Sequence, residues 1–322
     1  MEFLAAILPT LAGTLRVATP LILCAMGGLF SERSGVIDVG LEGKLLAAAF
    51  ASATIAAVTG SPWLGLGAGI AVACGMALLH GLACVTFHGN QVVSGVAINT
   101  LALGLTDVFA TAWYHMGGQT PGLESSARFM PVTFPGADAF AGLPLLGPVY
   151  ATLISGQSLL VYVAMAGVAL TYWVVNHTRF GLRLRGVGEE PGALDAAGIS
   201  VAWMRYRALL ICGVFTGIAG AYLSLAQNAS FSRNMSAGQG YIALAALIFG
   251  KWQPVGAFAA CLLFGFLDAA AIRLQGISIA GVPVPVQLIQ AMPYILTVIL
   301  LAGFIGRAVA PKAIGQPFQK ES

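Results

Sequence analysis

Eight apolar stretches, each close to the length of a membrane-crossing helix, dominate this chain of 322 residues. A hydrocarbon core of about 30 Å needs about 20 apolar residues in a helix. By this criterion the predicted spans are 4–30, 44–60, 63–87, 91–114, 153–176, 206–227, 254–273 and 286–306. Only 8% of the residues are charged, whereas a soluble chain carries roughly 25%. We therefore predict an all-α, polytopic membrane bundle of about 8–9 spans, forming a single transmembrane domain over 1–322.

Two segments interrupt this pattern with polar residues and glycine. Residues 31–44 carry five charges and three glycines, and residues 235–250 join a glycine-rich entry to an apolar run, 241–250, that is half a span long. Non-helical backbone survives at membrane depth only where protein or a water-filled cavity satisfies its N–H and C=O groups. We therefore predict broken or re-entrant elements near 31–43 and 235–250. The alternative for 31–43 is a cytoplasmic loop whose charges are hydrated.

Glycine spacing indicates where helices pack closely. The chain has 41 glycines, nearly double the usual ~7%. Pairs spaced four residues apart, at 65 and 69 and at 213 and 217, place glycines on one helix face and predict close contact with a neighbouring helix.

The distribution of Lys and Arg predicts the orientation. If the polar segment 177–205 lies in the cytoplasm, that side holds eleven of the 15 basic residues and the other side holds three, with Arg16 inside a span. Basic residues collect on the cytoplasmic side of membrane proteins. This places the C-terminus inside and makes 115–152 the largest external segment. The side of the N-terminus depends on whether 241–250 crosses the membrane completely.

Motifs for catalysis are missing from the sequence. It has no phosphate-binding loop ending in Gly-Lys-Ser/Thr, no His-Glu-x-x-His zinc site and no Gly-x-Ser-x-Gly nucleophile turn. Its five cysteines lie in apolar runs without metal-ligand spacing, and its basic residues are segregated by side rather than gathered for nucleic acid. We expect a membrane protein in contact with lipid that is not an enzyme in its own right and has no metal, cofactor or nucleic acid of its own.

Polar side chains at membrane depth are candidates for a transport pathway. Asn99 and Thr100 fall near the middle of the predicted fourth span, and Asp107 lies about two turns from its external end. A carboxylate at the bilayer centre costs about 2.5–3.5 kcal/mol on an insertion scale, which marks such residues as functional candidates. Asp38 and Glu42 of the segment 31–43 join them. For the residues of the fourth span, the alternative role is hydrogen bonding between helices.

The polar segment between the predicted fifth and sixth spans has the features of a docking surface. After Pro191, small and apolar residues suit a short helix that ends at Gly198. A short helix between two spans, flanked by Arg and Glu, favours contact with a soluble partner. The alternative is a helix lying on the lipid surface, which the high Ala and Gly content disfavours.

Four blocks resemble permease subunits of nucleoside-type ABC importers, which belong to the superfamily of branched-chain amino acid and ribose permeases. The blocks are ERSGVIDVGLEG at 32–43, RLRGVGE at 183–189 with AAGI at 196–199, MSAGQGYIALA at 235–245, and IFGKWQP at 248–254. They occur in the expected order, and the similarity runs over nearly the whole chain. The resemblance implies a multi-pass subunit of the bacterial cytoplasmic (inner) membrane, with 31–43 and 235–250 as corresponding elements of two halves.

The resemblance also implies partners. Such permeases pair with a second, different permease subunit, receive substrate from an extracytoplasmic substrate-binding protein, and are energised by a cytoplasmic ABC ATPase that holds ATP and Mg. Residues 189–199 would then form the coupling helix that enters a groove of the ATPase. The implied contact residues are Gly188, Glu189, Ala196, Ala197 and Gly198.

A neutral nucleoside needs amide and hydroxyl partners beside apolar or aromatic walls, so Asn99, Thr100 and Gln290 are the preferred pathway candidates. Two residues depart from the family pattern: Asp38 stands where Asn is commoner, and Lys44 stands where Met or another apolar residue is usual. The extra carboxylate would shift substrate preference or pair with Lys44. Alternative functions are the same scaffold carrying branched-chain amino acids or sugars, and an ion-coupled secondary transporter that would use Asp107, which stands largely alone.

Overall fold

The computed structural model describes residues 2–134, 146–274, 278–279, 282–283, 291, 295 and 309–319. Its helices are α1 (Glu2–Arg33), α2 (Leu41–Thr59), α3 (Pro62–Gly81), α4 (Gln91–Tyr114), α5 (Leu159–His177), α6 (Arg179–Glu189), α7 (Pro191–Ala196), α8 (Val201–Tyr222), α9 (Gln239–Phe249) and α10 (Pro254–Leu274). π-Helical turns extend α3 over Leu82–Thr86 and α8 over Leu223–Gln227, and short helical turns cover Ser125–Ala127, Leu146–Val149 and Tyr150–Ile154. Strand β1 (Pro131–Val132) pairs antiparallel with β2 (Gln157–Ser158), and β3 (Ser278–Ile279) with β4 (Val282–Pro283).

Seven helices of the described residues are long and apolar enough to cross a membrane. They cover Ile7–Arg33, Leu41–Thr59, Pro62–Thr86, Gln91–Tyr114, Leu159–His177, Val201–Gln227 and Pro254–Leu274. These helices coincide with the first seven predicted spans, so the prediction of a polytopic helical bundle is confirmed. The predicted eighth span, 286–306, lies outside the described residues except for 291 and 295.

The predicted polar segment 177–205 is more helical than the sequence indicated. It contains two helices, α6 and α7, where one short helix was predicted, and α8 begins at Val201 instead of 206. Helix α6 buries Leu184 and Val187 on one face while Leu182 and Arg183 are exposed. Short amphipathic helices of this kind escape a search for long apolar runs, because their apolar residues recur at helical spacing within a charged sequence.

The bundle has two ends that α8 connects. At one end, which we call the Arg33 end, Arg33 Nε donates a hydrogen bond to the Trp252 carbonyl over 2.9 Å. At the other, the Leu225 end, the Phe129 amide donates to the Leu225 carbonyl over 3.0 Å. In α8, Arg205 Nε donates a hydrogen bond to the carbonyl of Ser34, the residue after Arg33. The 20 residues from Arg205 to Leu225 span about 30 Å of helix.

The centre of the bundle is formed by α2 and α8, with α4 at the periphery. Of the most apolar 18-residue window of each span, 78% is buried in α2 and 72% in α8, against 22% in α4. The glycines predicted to make close contacts do so. A Cβ on Gly213 would lie 2.8 Å from Cys74 Cα, one on Gly217 would lie 2.5 Å from Ile70 Cα, and one on Gly65 would lie 2.7 Å from the Ser52 carbonyl.

We expect Gly217→Val to destabilise the contact between α3 and α8. The added side chain collides with the backbone of Ile70, and overpacking of this kind costs about 1–3 kcal/mol. The measurement is the thermal unfolding midpoint of the purified chain in detergent. Gly67→Val is the matched control, since nothing lies within 4 Å of the Cβ position at Gly67. Equal midpoints for the two variants would contradict the close packing.

Candidate functional site

Residues 34–40, between the end of α1 and the start of α2, form the broken segment. Several of its peptide groups hydrogen-bond to side chains and backbone of the surrounding protein. The Ile37 N–H donates to Gln91 Oε1 over 2.7 Å, and the Ile37 carbonyl lies 3.0 Å from His80 Nε2. Ser31 Oγ donates to the Val36 carbonyl over 2.8 Å. Non-helical backbone inside the bundle requires such partners, and the hydrated-loop alternative is wrong because this segment is almost entirely buried.

A carboxylate from α2 caps the N-terminus of α9. Glu42 Oε1 accepts hydrogen bonds from Ser236 Oγ (2.6 Å) and the Gly238 amide (2.8 Å), and Oε2 accepts one from the Gly240 amide (2.7 Å). The first amides of a helix lack partners inside the helix and carry partial positive charge. Glu42, buried in the interface, supplies both the acceptor atoms and the opposing charge.

Helices α2 and α9 start from a shared junction and run to opposite ends of the bundle. Helix α9 is 11 residues long, about 16 Å, and the turn that follows it reaches the Arg33 end through Trp252. Helix α2 leads to the Leu225 end, where Ala56 packs in one cluster with Leu225. Their N-terminal residues touch, because a Cβ on Gly240 would lie 2.5 Å from the Glu42 nitrogen. We call this contact, deep in the bundle, the helix junction.

Asn99 of α4 completes the helix junction. Its Oδ1 accepts a hydrogen bond from the Gly43 amide over 2.7 Å, and its Nδ2 donates to the Val39 carbonyl (3.0 Å) and to Tyr241 Oη (2.8 Å). The side chain is half-buried. One amide therefore joins the broken segment, α2, α4 and α9, which is the interhelical role left open for this residue by the sequence.

Asp38 and Lys44 form an ion pair in the interior. Lys44 Nζ donates a hydrogen bond to Asp38 Oδ2, and both side chains are 0% exposed. Cys212 Sγ donates to the same oxygen over 3.2 Å. Lys44, counted from the sequence among the cytoplasmic basic residues, is therefore an interior residue. The pair links the broken segment to α2 and α8.

Asp107 is paired with a cation, where the sequence had left it largely alone. Arg233 Nε donates to Asp107 Oδ1 over 2.8 Å, and Arg233 Nη2 donates to Oδ2 over 2.8 Å. The side chains are 37% exposed for Asp107 and 62% exposed for Arg233. The pair joins α4 to the segment 228–238 that leads into α9.

Neutral polar groups remain accessible beside the helix junction. Tyr241 is 46% exposed, Asn99 and Gln239 are half-buried, and Thr100 is exposed. Thr100 Oγ1 bonds the Val96 carbonyl of its own helix over 3.0 Å. The buried Gln239 Oε1 accepts no hydrogen bond from the described residues. Gln290, the remaining pathway candidate, lies outside the described residues.

The residues implied as coupling contacts lie at the Arg33 end. Glu189, Ala196, Ala197 and Gly198 are exposed, whereas Gly188 is buried. None of the six residues of α7 is buried; Leu194 packs against the main apolar core, and the opposite face of the helix is exposed. Gly198 ends the turn after α7 with φ +78, a conformation that favours glycine. We call α6 and α7 together the docking hairpin.

Sequence analysis did not nominate four residues that shape the site: Ser236, Gly238, Arg233 and Tyr241. The first two lie in the block 235–245, where Ser-x-Gly before an apolar run is an N-cap signal and could have found them. Arg233 and Tyr241 gave no such signal, because their partners Asp107 and Asn99 are 126 and 142 residues away in sequence.

Comparison with known proteins identifies the family. Residues 10–302 match the family described as branched-chain amino acid transport system / permease component. The chain belongs to this permease family. It is 40% identical to the guanosine ABC transporter permease protein NupQ of Bacillus subtilis, over 99% of this chain and 98% of NupQ. It is 38% identical to the nucleoside ABC transporter permease protein NupC of Lactococcus lactis, over 96% of both chains.

Other relatives of the permease extend this result. TsgC13 of Haloferax volcanii, provisionally named a glucose ABC transporter permease protein, is 35% identical over 97% of both chains. Bacillus subtilis and Lactococcus lactis each have a second relative, the guanosine ABC transporter permease protein NupP at 26% identity and the nucleoside ABC transporter permease protein NupB at 22% identity. The predicted membership of the ABC permease superfamily is confirmed. The pathway and coupling roles of individual residues stay predictions.

We expect Glu42→Gln to loosen the helix junction. A neutral amide keeps one acceptor oxygen and aims a donor at the amides of α9, and loss of a hydrogen bond to a charged group costs about 1.5–3 kcal/mol. The thermal unfolding midpoint in detergent should fall. Glu189→Gln, at an exposed position, is the control and should leave the midpoint unchanged. A midpoint unaltered by Glu42→Gln would argue against the capping role.

Asp38→Asn and Lys44→Met should each destabilise the permease, and the double variant should recover most of the loss. Removing one partner of a buried ion pair leaves an uncompensated charge and costs about 3–5 kcal/mol, whereas removing both is often neutral. The measurement is a double-mutant cycle on thermal stability in detergent. Additive losses in the double variant would show that the two charges act independently.

Proposed function

We propose that this permease is one of two transmembrane subunits of an ATP-driven importer for nucleosides or nucleobases. The observation that carries this proposal is the chemistry beside the helix junction. Glu42, Asp38 and Lys44 are engaged within the protein, and the groups left accessible there are a phenol and amides. These groups suit a neutral polar solute with an aromatic ring, which can stack on Tyr241 while it hydrogen-bonds to Thr100 or Gln239. Both N–H groups of Asn99 are donated within the protein, so Asn99 positions Tyr241 beside the solute.

The same chemistry disfavours the amino acid alternative. A zwitterion needs a charged pair or uncapped helix N-termini to receive its carboxylate. Here the N-terminus of α9 is already occupied by Glu42. Sugars are neutral and remain the closest competitor, as the name of TsgC13 indicates for that relative. The names of NupQ and NupC favour nucleosides at higher identity.

Energy for transport would come from a separate cytoplasmic ATPase that holds ATP and Mg. The exposed helix α7 of the docking hairpin supports this arrangement, since none of its six residues is buried. The C-terminal residues 309–319 lie at the same end and would be cytoplasmic. An extracytoplasmic binding protein would deliver solute to the Leu225 end, and the whole would reside in the bacterial cytoplasmic membrane.

A second, different permease subunit would complete the pathway. The relatives come in pairs from the same bacterium: NupQ and NupP in Bacillus subtilis, and NupC and NupB in Lactococcus lactis. Helix α4, which carries Asn99 and Thr100, is mostly unburied in the single chain and offers a surface for that subunit. An ion-coupled secondary transporter is less favoured, because Asp107 is neutralised by Arg233.

Purification of the tagged permease from its native membranes in mild detergent tests the assembly. Mass spectrometry should identify a P-loop ATPase and a second, unlike permease in the purified complex. In proteoliposomes with ATP on the ATPase side and the binding protein on the other, labelled guanosine should be taken up. Competition by unlabelled nucleosides but not by glucose or leucine supports the substrate class. A homo-oligomer without an ATPase would refute the proposal.

We expect Ala196→Trp to reduce the amount of ATPase that co-purifies with the permease. The bulky ring is added on the exposed face of α7, where it would prevent close contact with a groove while leaving the bundle intact. Ser126→Trp, an exposed site next to residues of the Leu225 end, is the matched control. Equal recovery of ATPase with both variants would place the docking surface elsewhere.

A further inference from the structure

The C-terminal residues 309–319 form a strap across the Arg33 end. Lys312 to Gly315 make a turn, and Pro311 and Ala313 on either side of Lys312 are buried. Ala310, Ile314 and Phe318 pack against the main apolar core. The strap is therefore packed against the rest of the protein. It lies between the docking hairpin and the broken segment and contacts both.

One side of the strap is bonded to the docking hairpin. The Ala313 amide donates to the Gly188 carbonyl over 2.9 Å, and Gly188 is in the last turn of α6. A Cβ on Gly188 would lie 2.2 Å from the Arg33 carbonyl and 3.4 Å from Pro311 Cβ. The end of α6 is thus held between the strap and the end of α1, with no room for a side chain.

The other side of the strap is bonded to the broken segment. The Gly315 amide donates to the Gly35 carbonyl over 3.0 Å. Both glycines have positive φ, +77 for Gly315 and +88 for Gly35, which favours glycine at each position. A Cβ on Gly315 would lie 3.0 Å from Ile37 Cδ1. The strap and the broken segment therefore contact each other through the backbone hydrogen bond between Gly315 and Gly35, at positions without side chains.

Arg205 locks this three-way contact. Its side chain is 1% exposed; Nε donates to the Ser34 carbonyl and Nη1 to the Gln316 carbonyl, both over 3.2 Å. Arg205 lies in the second turn of α8, directly after the docking hairpin. Burying a guanidinium against carbonyl groups is costly unless the geometry holds those groups in place. The residue thus fixes the start of α8, the strap and the broken segment to one another.

We propose that Arg205 and the strap are positioning elements that transmit displacement of the docking hairpin to the helix junction. This inference rests on the proposed function. A partner that shifts α6 also shifts the strap, because the Ala313 amide is hydrogen-bonded to the end of α6. The strap in turn shifts the broken segment through the hydrogen bonds of Gly315 and Arg205. The broken segment leads directly into α2, whose first turn holds Glu42 and Gly43 in the helix junction.

The test uses Arg205→Met, which retains an apolar stem and removes both donors. Gly315→Ala is the second variant, because it disturbs the same contact without removing the buried charge and so serves if Arg205→Met does not fold. Lys312→Ala is the matched control, since its side chain is exposed in the same turn. Each is assembled with the co-purified permease and ATPase in proteoliposomes, where ATP hydrolysis and solute uptake are measured together.

The expected result is loss of coupling. Solute taken up per ATP hydrolysed should fall about tenfold in Arg205→Met or Gly315→Ala, as for a coupling free energy of ordinary size, while ATP hydrolysis and complex yield stay close to those of Lys312→Ala. A parallel fall in hydrolysis and uptake would indicate a merely structural role and overturn the proposal. Unchanged coupling would overturn it as well.

A second readout does not depend on the identity of the solute. In Val39→Cys, maleimide labelling of residue 39 is measured by mass spectrometry with and without a non-hydrolysable ATP analogue. We expect a nucleotide-dependent change in labelling that disappears when Gly315→Ala is added and persists with Lys312→Ala. A strap-dependent change without nucleoside uptake would retain this inference and reject the proposed substrate class. Labelling that does not change with nucleotide would reject the inference. A nucleotide-dependent change that Gly315→Ala leaves intact would also reject it.

Discussion

The centre of this permease depends on the hydrogen bonds that the Glu42 carboxylate accepts at the N-terminus of α9. Backbone that leaves a helix inside a membrane protein must find partners for its N–H and C=O groups within the protein. Helix α9 begins deep in the bundle, so its first amides cannot rely on bulk water. One side chain from the start of α2 accepts hydrogen bonds from the Gly238 and Gly240 amides and the Ser236 hydroxyl, which joins α2 and α9 at their N-termini.

The broken segment follows the same rule with different donors and acceptors. Gln91, His80 and Asn99 hold the peptide groups of residues 37 and 39, and Arg205 and the strap hold those of residues 34 and 35. Charged side chains therefore act on the backbone and on one another. In the proposed function, neutral groups such as Tyr241 and Gln239 would remain for a solute, and the conspicuous charges of the segment would have structural roles.

The contacts at the Arg33 end connect this centre to the surface. The docking hairpin, the strap, the broken segment and the start of α8 meet within a few residues of Arg33, and mainly backbone hydrogen bonds and glycines join them. Packed interfaces of this kind move as units because they cannot deform continuously. A displacement imposed on the hairpin thus has a short physical route to the helix junction, whereas the Leu225 end is held by a separate set of contacts around Phe129.

By itself the sequence determined the class of fold, the first seven spans, the two broken elements and the short helix ended by Gly198. These follow from local properties: apolar length against bilayer thickness, glycine and charge within apolar surroundings, and helix stop signals. Only the tertiary structure decided what the polar residues do. Asp38 and Lys44 are close in sequence and were open to pairing, but Asp107 with Arg233, Glu42 with Ser236, and Arg205 with Gln316 are separated by more than 100 residues. Such partners depend on how helices pack, and packing is set by contacts that no local pattern records.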